Sequence, residues 1–280
     1  MNSNKNIVIV GLGLMGGSLA SSLTSLSYNV YGYDINEESI SFAYNEGIIK
    51  NDKSSKELLK NSDIIILCLY PKDVVSFVKE NLNLFKEDVL ICDITGVKSG
   101  IVNEIQNLLS SKQEFIGLHP MCGKEKVGVK YYDSNLFEGA NLIIVSTNKN
   151  TSRGLDFAYL LGKELKFKFI EKLSIEEHDQ MISFLSQLPH AIAVGLMNVK
   201  ESNHLVAYTG DSFRDLTRIA KINAELWSEL FFMNKEYLTK DIDDFIKVME
   251  DIKTKINTED KEGLVELFKI SKQRRENFDK

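Results

Sequence analysis

The first half of the chain alternates short apolar runs with stretches of helical period. Runs at 7–10, 63–69, 88–93, 114–118 and 141–146 are built on Ile, Val and Leu, and a further run at 29–33 on Val and two Tyr. Several, such as Ile64-Ile-Ile-Leu-Cys-Leu69, are apolar at consecutive rather than alternating positions. A strand apolar on both faces belongs to a sheet covered on both sides, so the pattern predicts an open, doubly wound, mostly parallel α/β sheet over residues 1–150. From about 151 the texture changes. One strand-like piece at 168–171 is followed by helix-period sequence almost to the end, which predicts an all-helical second domain over 151–280. Ser174-Ile-Glu-Glu177 has capping-box spacing, so a long helix is expected to begin near Ile175. Pro189 falls inside it and should kink its axis, aiming His190 at a cleft. Leu226, Leu230 and Met233, and then Ile242, Phe245, Ile246 and Met249, recur at the spacing of further amphipathic helices.

A chain of 280 residues, 43% hydrophobic, can bury a large core and suits about two domains. Its net charge of −6 gives no reason to expect nucleic acid, and an anionic small molecule would need a local cluster of cations. Cys68, Cys92 and Cys122 lack CxxC spacing and fit reduced thiols, with no metal site expected. No run reaches the ~20 apolar residues of a membrane span. A soluble, cytoplasmic protein is expected.

Gly11-Leu-Gly-Leu-Met-Gly16 follows the first apolar run directly and opens a helical stretch. In such a loop the first glycine permits a tight turn, the second lets backbone amides approach a pyrophosphate, and the third lets helix and strand pack closely. Asp34, at the end of the next run, is placed to accept hydrogen bonds from ribose hydroxyls and to repel a 2′-phosphate, which favours NAD over NADP. The expected fold of the first half is therefore Rossmann-type. Its cofactor-binding set is Gly11, Leu12, Gly13, Leu14, Met15, Gly16 and Asp34, joined by Thr95.

Four further motifs follow: Asp93-Ile-Thr-Gly-Val-Lys98, His119-Pro-Met-Cys-Gly123 with Glu125 behind it, Ser186-Gln-Leu-Pro-His190, and Arg214-Asp-Leu-Thr-Arg218. With the glycine loop, in this order and approximate spacing, they resemble the prephenate and arogenate dehydrogenase family from residue 7 to about 230. The resemblance implies NAD-dependent oxidative decarboxylation of a cyclohexadienol acid. A homodimer built on the helical domain is expected separately, because that half of the chain lacks an obvious partner for its apolar faces. The resemblance further implies that His119 hydrogen bonds the substrate's C4 hydroxyl, with His190 and Ser186 beside the ring and the nicotinamide. Arg218 would hold the carboxylate of the pyruvyl side chain, within a network that includes Asp215 and, with less claim, Arg214. An arginine fork suits bidentate carboxylate binding in a way lysine does not.

Glu125 would order the pocket through ionic contacts, and Trp227 matches an aromatic that reaches the neighbouring subunit's site, although it could equally be a core ring. His178, in the first turn of its helix, reads as structural. Many family members carry a serine where this chain has Gly96, so that bridge to substrate, histidine and cofactor is missing, supplied by Thr95, or replaced by water. Arogenate dehydrogenase is the nearest alternative. A Rossmann oxidoreductase of another family stands further off, because such enzymes usually depend on a catalytic lysine or lack this HPxxG and RDxTR pair, and a non-catalytic NAD-binding regulator would need no convergence of His119, His190 and Arg218.

Overall fold

The computed structural model of the chain describes residues 5–201 and 204–279. Strands β1 (Asn6–Val10), β2 (Asn29–Tyr33), β3 (Ile64–Leu67), β4 (Leu90–Asp93), β5 (Glu114–Met121), β6 (Asn141–Val145) and β7 (Phe169–Leu173) form a seven-stranded sheet in the order β2-β1-β3-β4-β5-β6-β7. Neighbours run parallel except β5 and β6, which are antiparallel. The order reverses between β1 and β3, and the crevice at such a switch point is where open α/β sheets bind ligands.

Successive residues of the central strands supply two separate cores. Ile7, Ile9, Ile64 and Ile66 pack with Leu19 and Leu23 of α1 (Leu14–Ser25). Helix α2 (Glu37–Asn45) and the short α3 (Lys56–Asn61) lie along the chain between β2 and β3. Val8, Val10, Ile65 and Leu67 face the other way, onto Val74 and Val78 of α4 (Pro71–Asn81) and Val102 and Ile105 of α5 (Val102–Leu108). Each such side chain, taken wholly out of water, contributes on the order of 1.5–3 kcal/mol.

Two departures from the sequence pattern affect the site. Strand β5 continues past Leu118 to Met121, because β6 pairs with residues 117–121 beyond the point where β4 ends opposite Gly117. His119 therefore lies within a strand, paired with Ile143, and not in the loop after one. In addition, β7 pairs in parallel along β6, and Phe157 and Leu161 of α6 (Ser152–Glu164) join the first core. The sheet thus runs on to Leu173 rather than ending near 150, since the exposed edge of β6 needs a partner for its backbone.

The Ser174–Glu177 capping box is formed at the start of α7 (Ile175–Ile182). It leads through a π-helical stretch, Ser183–Gln187, into α8 (Leu188–Asn198). Pro189 stands in the first turn of α8, where the widened π turn accommodates its missing donor and its ring. The short α9 (Leu205–Tyr208) and α10 (Asp211–Thr217) precede α11 (Ala224–Met233). By contacts the chain divides between Asn234 and Lys235. Helices α7–α11 thus group with the sheet by contacts, and the helical region that begins at Ile175 is divided between the two units. The second unit consists of α12 (Lys235–Asn257) and α13 (Lys261–Glu276), packed on each other, with α13 capped by the Asp260 carboxylate on the Gly263 amide at 2.9 Å.

Candidate active site

The glycine loop has the geometry its spacing predicts. Gly11 has φ +91°, and a Cβ there would lie 2.5 Å from the Cys68 carbonyl oxygen. A Cβ on Gly16 would lie 1.9 Å from the Gly11 carbonyl, so α1 can abut β1 only without a side chain there. At Gly13 a Cβ would meet nothing within 4 Å. Gly13 also caps α1 without a side-chain hydrogen bond, leaving the positive end of that helix open to an anion. Leu12 and Leu14 are buried and Met15 half-buried, so the first two can meet a cofactor only through their backbone. The half-buried Asp34 accepts the Leu12 amide at 2.6 Å and the Asn36 amide at 2.8 Å, which orients its carboxylate beside the loop.

At the carboxyl end of β4, beside β5, lies a buried ionic cluster. Lys98 has no exposure; its Nζ donates to Asp93 Oδ2 at 2.6 Å, to the Leu118 carbonyl at 2.7 Å and to Thr95 Oγ1 at 3.4 Å, so all three protons are used. Burial pulls the Lys98 pKa below the usual lysine value, against the opposing pull of Asp93. The Thr95 hydroxyl also bonds the Asp93 carboxylate. This corrects the expectation for Thr95: its side chain faces the ion pair rather than the cofactor, and it cannot stand in for the missing serine. Hydrogen bonds offset the cost of burying a cation and a carboxylate, and Thr95 supplies two of them to Asp93 Oδ2, from its amide and its hydroxyl, while the buried Asp93 Oδ1 has no partner among the described residues.

His119 lies above this cluster. Its Nδ1 is 2.8 Å from Nε2 of His178, whose Nδ1 is 2.6 Å from Asp179 Oδ1. His178 and Asp179 are fully buried. Asp179 Oδ1 accepts the Lys98 amide at 2.9 Å and Oδ2 the Ser99 amide at 2.7 Å. Burial, then His178 and Lys98, hold the His119 pKa well below the usual histidine range, and burial lowers that of His178 as well. For Asp179 burial alone would raise the carboxyl, but hydrogen bonds from His178, Ser99 and Lys98 bring it below the usual carboxylate value.

The helical elements close the site. Helix α11 sets Leu230 against Gly96, where a Cβ would lie 3.2 Å from a Leu230 methyl and 3.9 Å from His119 Cε1. One turn earlier, the half-buried Trp227 stacks on His190. His190 Nδ1 is 2.8 Å from the Ser186 carbonyl, so it is the backbone of Ser186 that orients this ring. Burial, followed by the charge of Arg218, lowers the His190 pKa. Arg218 itself pairs with Glu125. Asn234 Nδ2 donates to the Asp179 carbonyl and to Gln187 Oε1, both at 2.8 Å, and Gln187 Nε2 donates to the Leu230 carbonyl at 2.9 Å, tying α7, the π turn and α11 together.

His119, Ser186, His190, Trp227, Glu125 and Arg218 are thus linked through one group of elements. Arg214 and Asp215 are exposed on α10, and Arg218 begins the 3-10 turn beyond it, so Arg214 and Arg218, four residues apart, do not lie on one continuous α-helix. Sequence reasoning missed His178 and Asp179 as partners of His119, together with Gln187 and Asn234. The available signal was the adjacent His178-Asp179 pair one turn into a capped helix, with no other purpose apparent for two polar residues there.

Comparison with known proteins bears on the whole chain. Residues 19–171 match the family model described as prephenate dehydrogenase, nucleotide-binding domain, and residues 174–270 the one described as prephenate dehydrogenase, dimerization domain. The chain is similar to prephenate dehydrogenase of Lactococcus lactis, 32% identical over 97% of this chain and 77% of that protein. It is also similar to that of Bacillus subtilis, 29% identical over 99% and 77%. Its structure resembles prephenate dehydrogenase from A. aeolicus, solved in complex with hydroxyphenyl propionate and NAD+, with TM-score 0.90 and 34% identity over 99% of both chains. Synechocystis arogenate dehydrogenase, at 23% identity and TM-score 0.84, shares the fold. With the two family domains meeting at the end of β7 and together spanning nearly all of the sequence, the chain belongs to the prephenate dehydrogenase family.

Proposed function

We propose that the chain is an NAD-dependent prephenate dehydrogenase, a cytoplasmic homodimer of tyrosine biosynthesis that converts prephenate to 4-hydroxyphenylpyruvate and carbon dioxide. One observation carries this reading: β5 and the loop after it deliver both His119 and Glu125, and Glu125 grips Arg218, so a base and a guanidinium are joined through a single segment. The residues present fit NAD. The Gly13 side of the loop is open, Gly16 admits the close approach of α1 to β1, and Asp34 is fixed where a ribose would lie. When bound, NAD supplies the nicotinamide that accepts the hydride from C4 of the substrate.

The chain's own residues do the rest. His119, held neutral by its surroundings, accepts the proton of the C4 hydroxyl as that carbon is oxidised. Loss of the ring carboxylate as carbon dioxide then returns an electron pair to the ring, and the oxygen recovers a proton as the phenol. Arg218 binds the side-chain carboxylate, exchanging Glu125 for the substrate. A cation on the departing carboxylate would instead oppose its loss, because it would stabilise the ground state. His190, Ser186 and Trp227 form the wall beside the ring. The second unit exposes Ile246, Met249, Ile256, Val265 and Phe268, which suits a contact with a second copy, and among the described residues no helix is long and apolar enough to cross a membrane.

The test is to supply purified protein with NAD and either prephenate or arogenate and to follow reduced nicotinamide. Reduction with prephenate is expected. Reduction with arogenate alone, or with neither, overturns the proposal, and a monomer in sedimentation overturns the dimer.

A further inference from the structure

We propose that Asp179 and His178 hold His119 in the tautomer whose Nε2 is bare, and take up through Nδ1 the positive charge that His119 acquires in turnover. The inference rests on the reading of His119 as the base, and it adds two positioning residues, neither of which touches substrate.

The argument is one of donors and acceptors. The Asp179 carboxylate can only accept, and it is already gripped by the Lys98 and Ser99 amides. The hydrogen between it and His178 therefore sits on His178 Nδ1. A neutral His178 then has a bare Nε2, which also can only accept. The hydrogen of the 2.8 Å contact must sit on His119 Nδ1, and His119 Nε2 is left bare. A cationic His178 would invert the result, leaving Nε2 of His119 as the protonated nitrogen. Full burial of His178, with the Lys98 charge acting on both rings, disfavours that cation. The charged and titratable groups facing the pair are Lys98, Asp93 and Asp179.

When the substrate hydroxyl gives its proton to His119 Nε2, the Nδ1 proton can pass to His178 Nε2, where the new imidazolium faces Asp179. The proton retraces this path when the phenol oxygen is reprotonated, so none is gained or lost by the protein. The same logic makes an aspartate behind a catalytic histidine worth orders of magnitude in other enzymes.

The experiment uses the full-length protein with ring-15N histidine, observed by NMR alongside steady-state kinetics on prephenate. In the unsubstituted protein at neutral pH, His119 should carry hydrogen on Nδ1 with Nε2 bare. His178→Leu removes the acceptor. It should give mixed His119 tautomers and lower kcat by on the order of 10²-fold, with KM changed by no more than about threefold. His178→Gln keeps an amide oxygen to accept from Nδ1 but cannot take the proton. It should retain the tautomer, with a kcat between the two and its acid limb displaced. A bare Nδ1 or a protonated Nε2 on His119 in the unsubstituted protein, or an unchanged kcat in either variant, overturns the proposal. Should His178→Leu fail to fold, the unsubstituted protein and His178→Gln still decide. Absence of turnover with prephenate would overturn the functional reading, while the tautomer remains readable without substrate.

Discussion

The imidazole of His190 lies against the indole of Trp227, with ring centroids 3.7 Å apart and planes inclined by 28°. Because the Ser186 carbonyl fixes one ring nitrogen and Trp227 one ring face, the other nitrogen and the other face are what His190 can offer a ligand. Such a stacked pair contributes about 0.5–1.5 kcal/mol beyond its buried area. Trp227→Leu should lower the urea midpoint accordingly and raise KM for prephenate, whereas Trp227→Phe should recover most of both. Unchanged midpoint and KM in Trp227→Leu would show that the stack neither stabilises the helices nor shapes the pocket.

Stability should depend on pH in a window set by histidines. His119, His178 and His190 all have folded pKa values below the usual 6.5, each chiefly through burial. The unfolded chain therefore binds protons more readily. The contribution is complete above the unfolded value and is lost as pH falls from about 6.5 toward the folded values. Denaturant titrations at about pH 7.5 and pH 5.5 should show a smaller unfolding free energy at the lower pH, ahead of the carboxylate range in which Asp63 and Asp133 act. Equal values at the two pH points would mean that the imidazoles are solvated.

Two glycines of one loop should fail differently. Gly16→Ala forces a Cβ to within 1.9 Å of the Gly11 carbonyl, so α1 must shift and both stability and NAD binding should fall. Gly13→Ala places its methyl in open space, so the unfolding midpoint should hold while the dissociation constant for NAD rises by about tenfold, measured by calorimetry. Intact NAD affinity in Gly13→Ala would place the pyrophosphate elsewhere.

Restoring a serine at Gly96 should be resisted by Leu230. The new Cβ would stand 3.2 Å from a Leu230 methyl, tight enough that overpacking should cost about 1–3 kcal/mol. Leu230→Ala combined with Gly96→Ser should cost less than the sum of the two single changes, read as a coupling energy in a double-mutant cycle. Simple additivity would mean that the two side chains do not compete for space.

Much of this was legible from the chain itself. Consecutive apolar residues in Ile64–Leu67 marked a strand with two buried faces, and Ser174 and Glu177 marked a helix start that is present. The glycine loop announced its own turn. The reversal of β6 left no trace, because a buried strand looks the same whichever way it runs; hence His119 was expected one step outside its strand. The π turn before Pro189 was hidden for a related reason, since the chain's response to a missing donor depends on what packs around it. His178 read as structural because its partner His119, and the Lys98 and Ser99 amides that hold its neighbour Asp179, are far off in sequence. Thr95 misled because motif spacing tells where a residue sits and not which way its hydroxyl turns.

The backward course of β6 has an evolutionary corollary. The stretch of β5 that bears His119 is clamped rung by rung to β6, with His119 opposite Ile143 and Met121 opposite Asn141. The His119 ring is therefore indexed by strand pairing, while the segment between the two strands is anchored separately, by Val129 and Phe137 in the first core and by Glu125 on Arg218. A slip of one rung would be another matter: it would turn the imidazole to the opposite side of the sheet. Descendants of this protein could thus change the length of that segment only where Glu125, Val129 and Phe137 keep their places, and could not change the alignment of the two strands it joins.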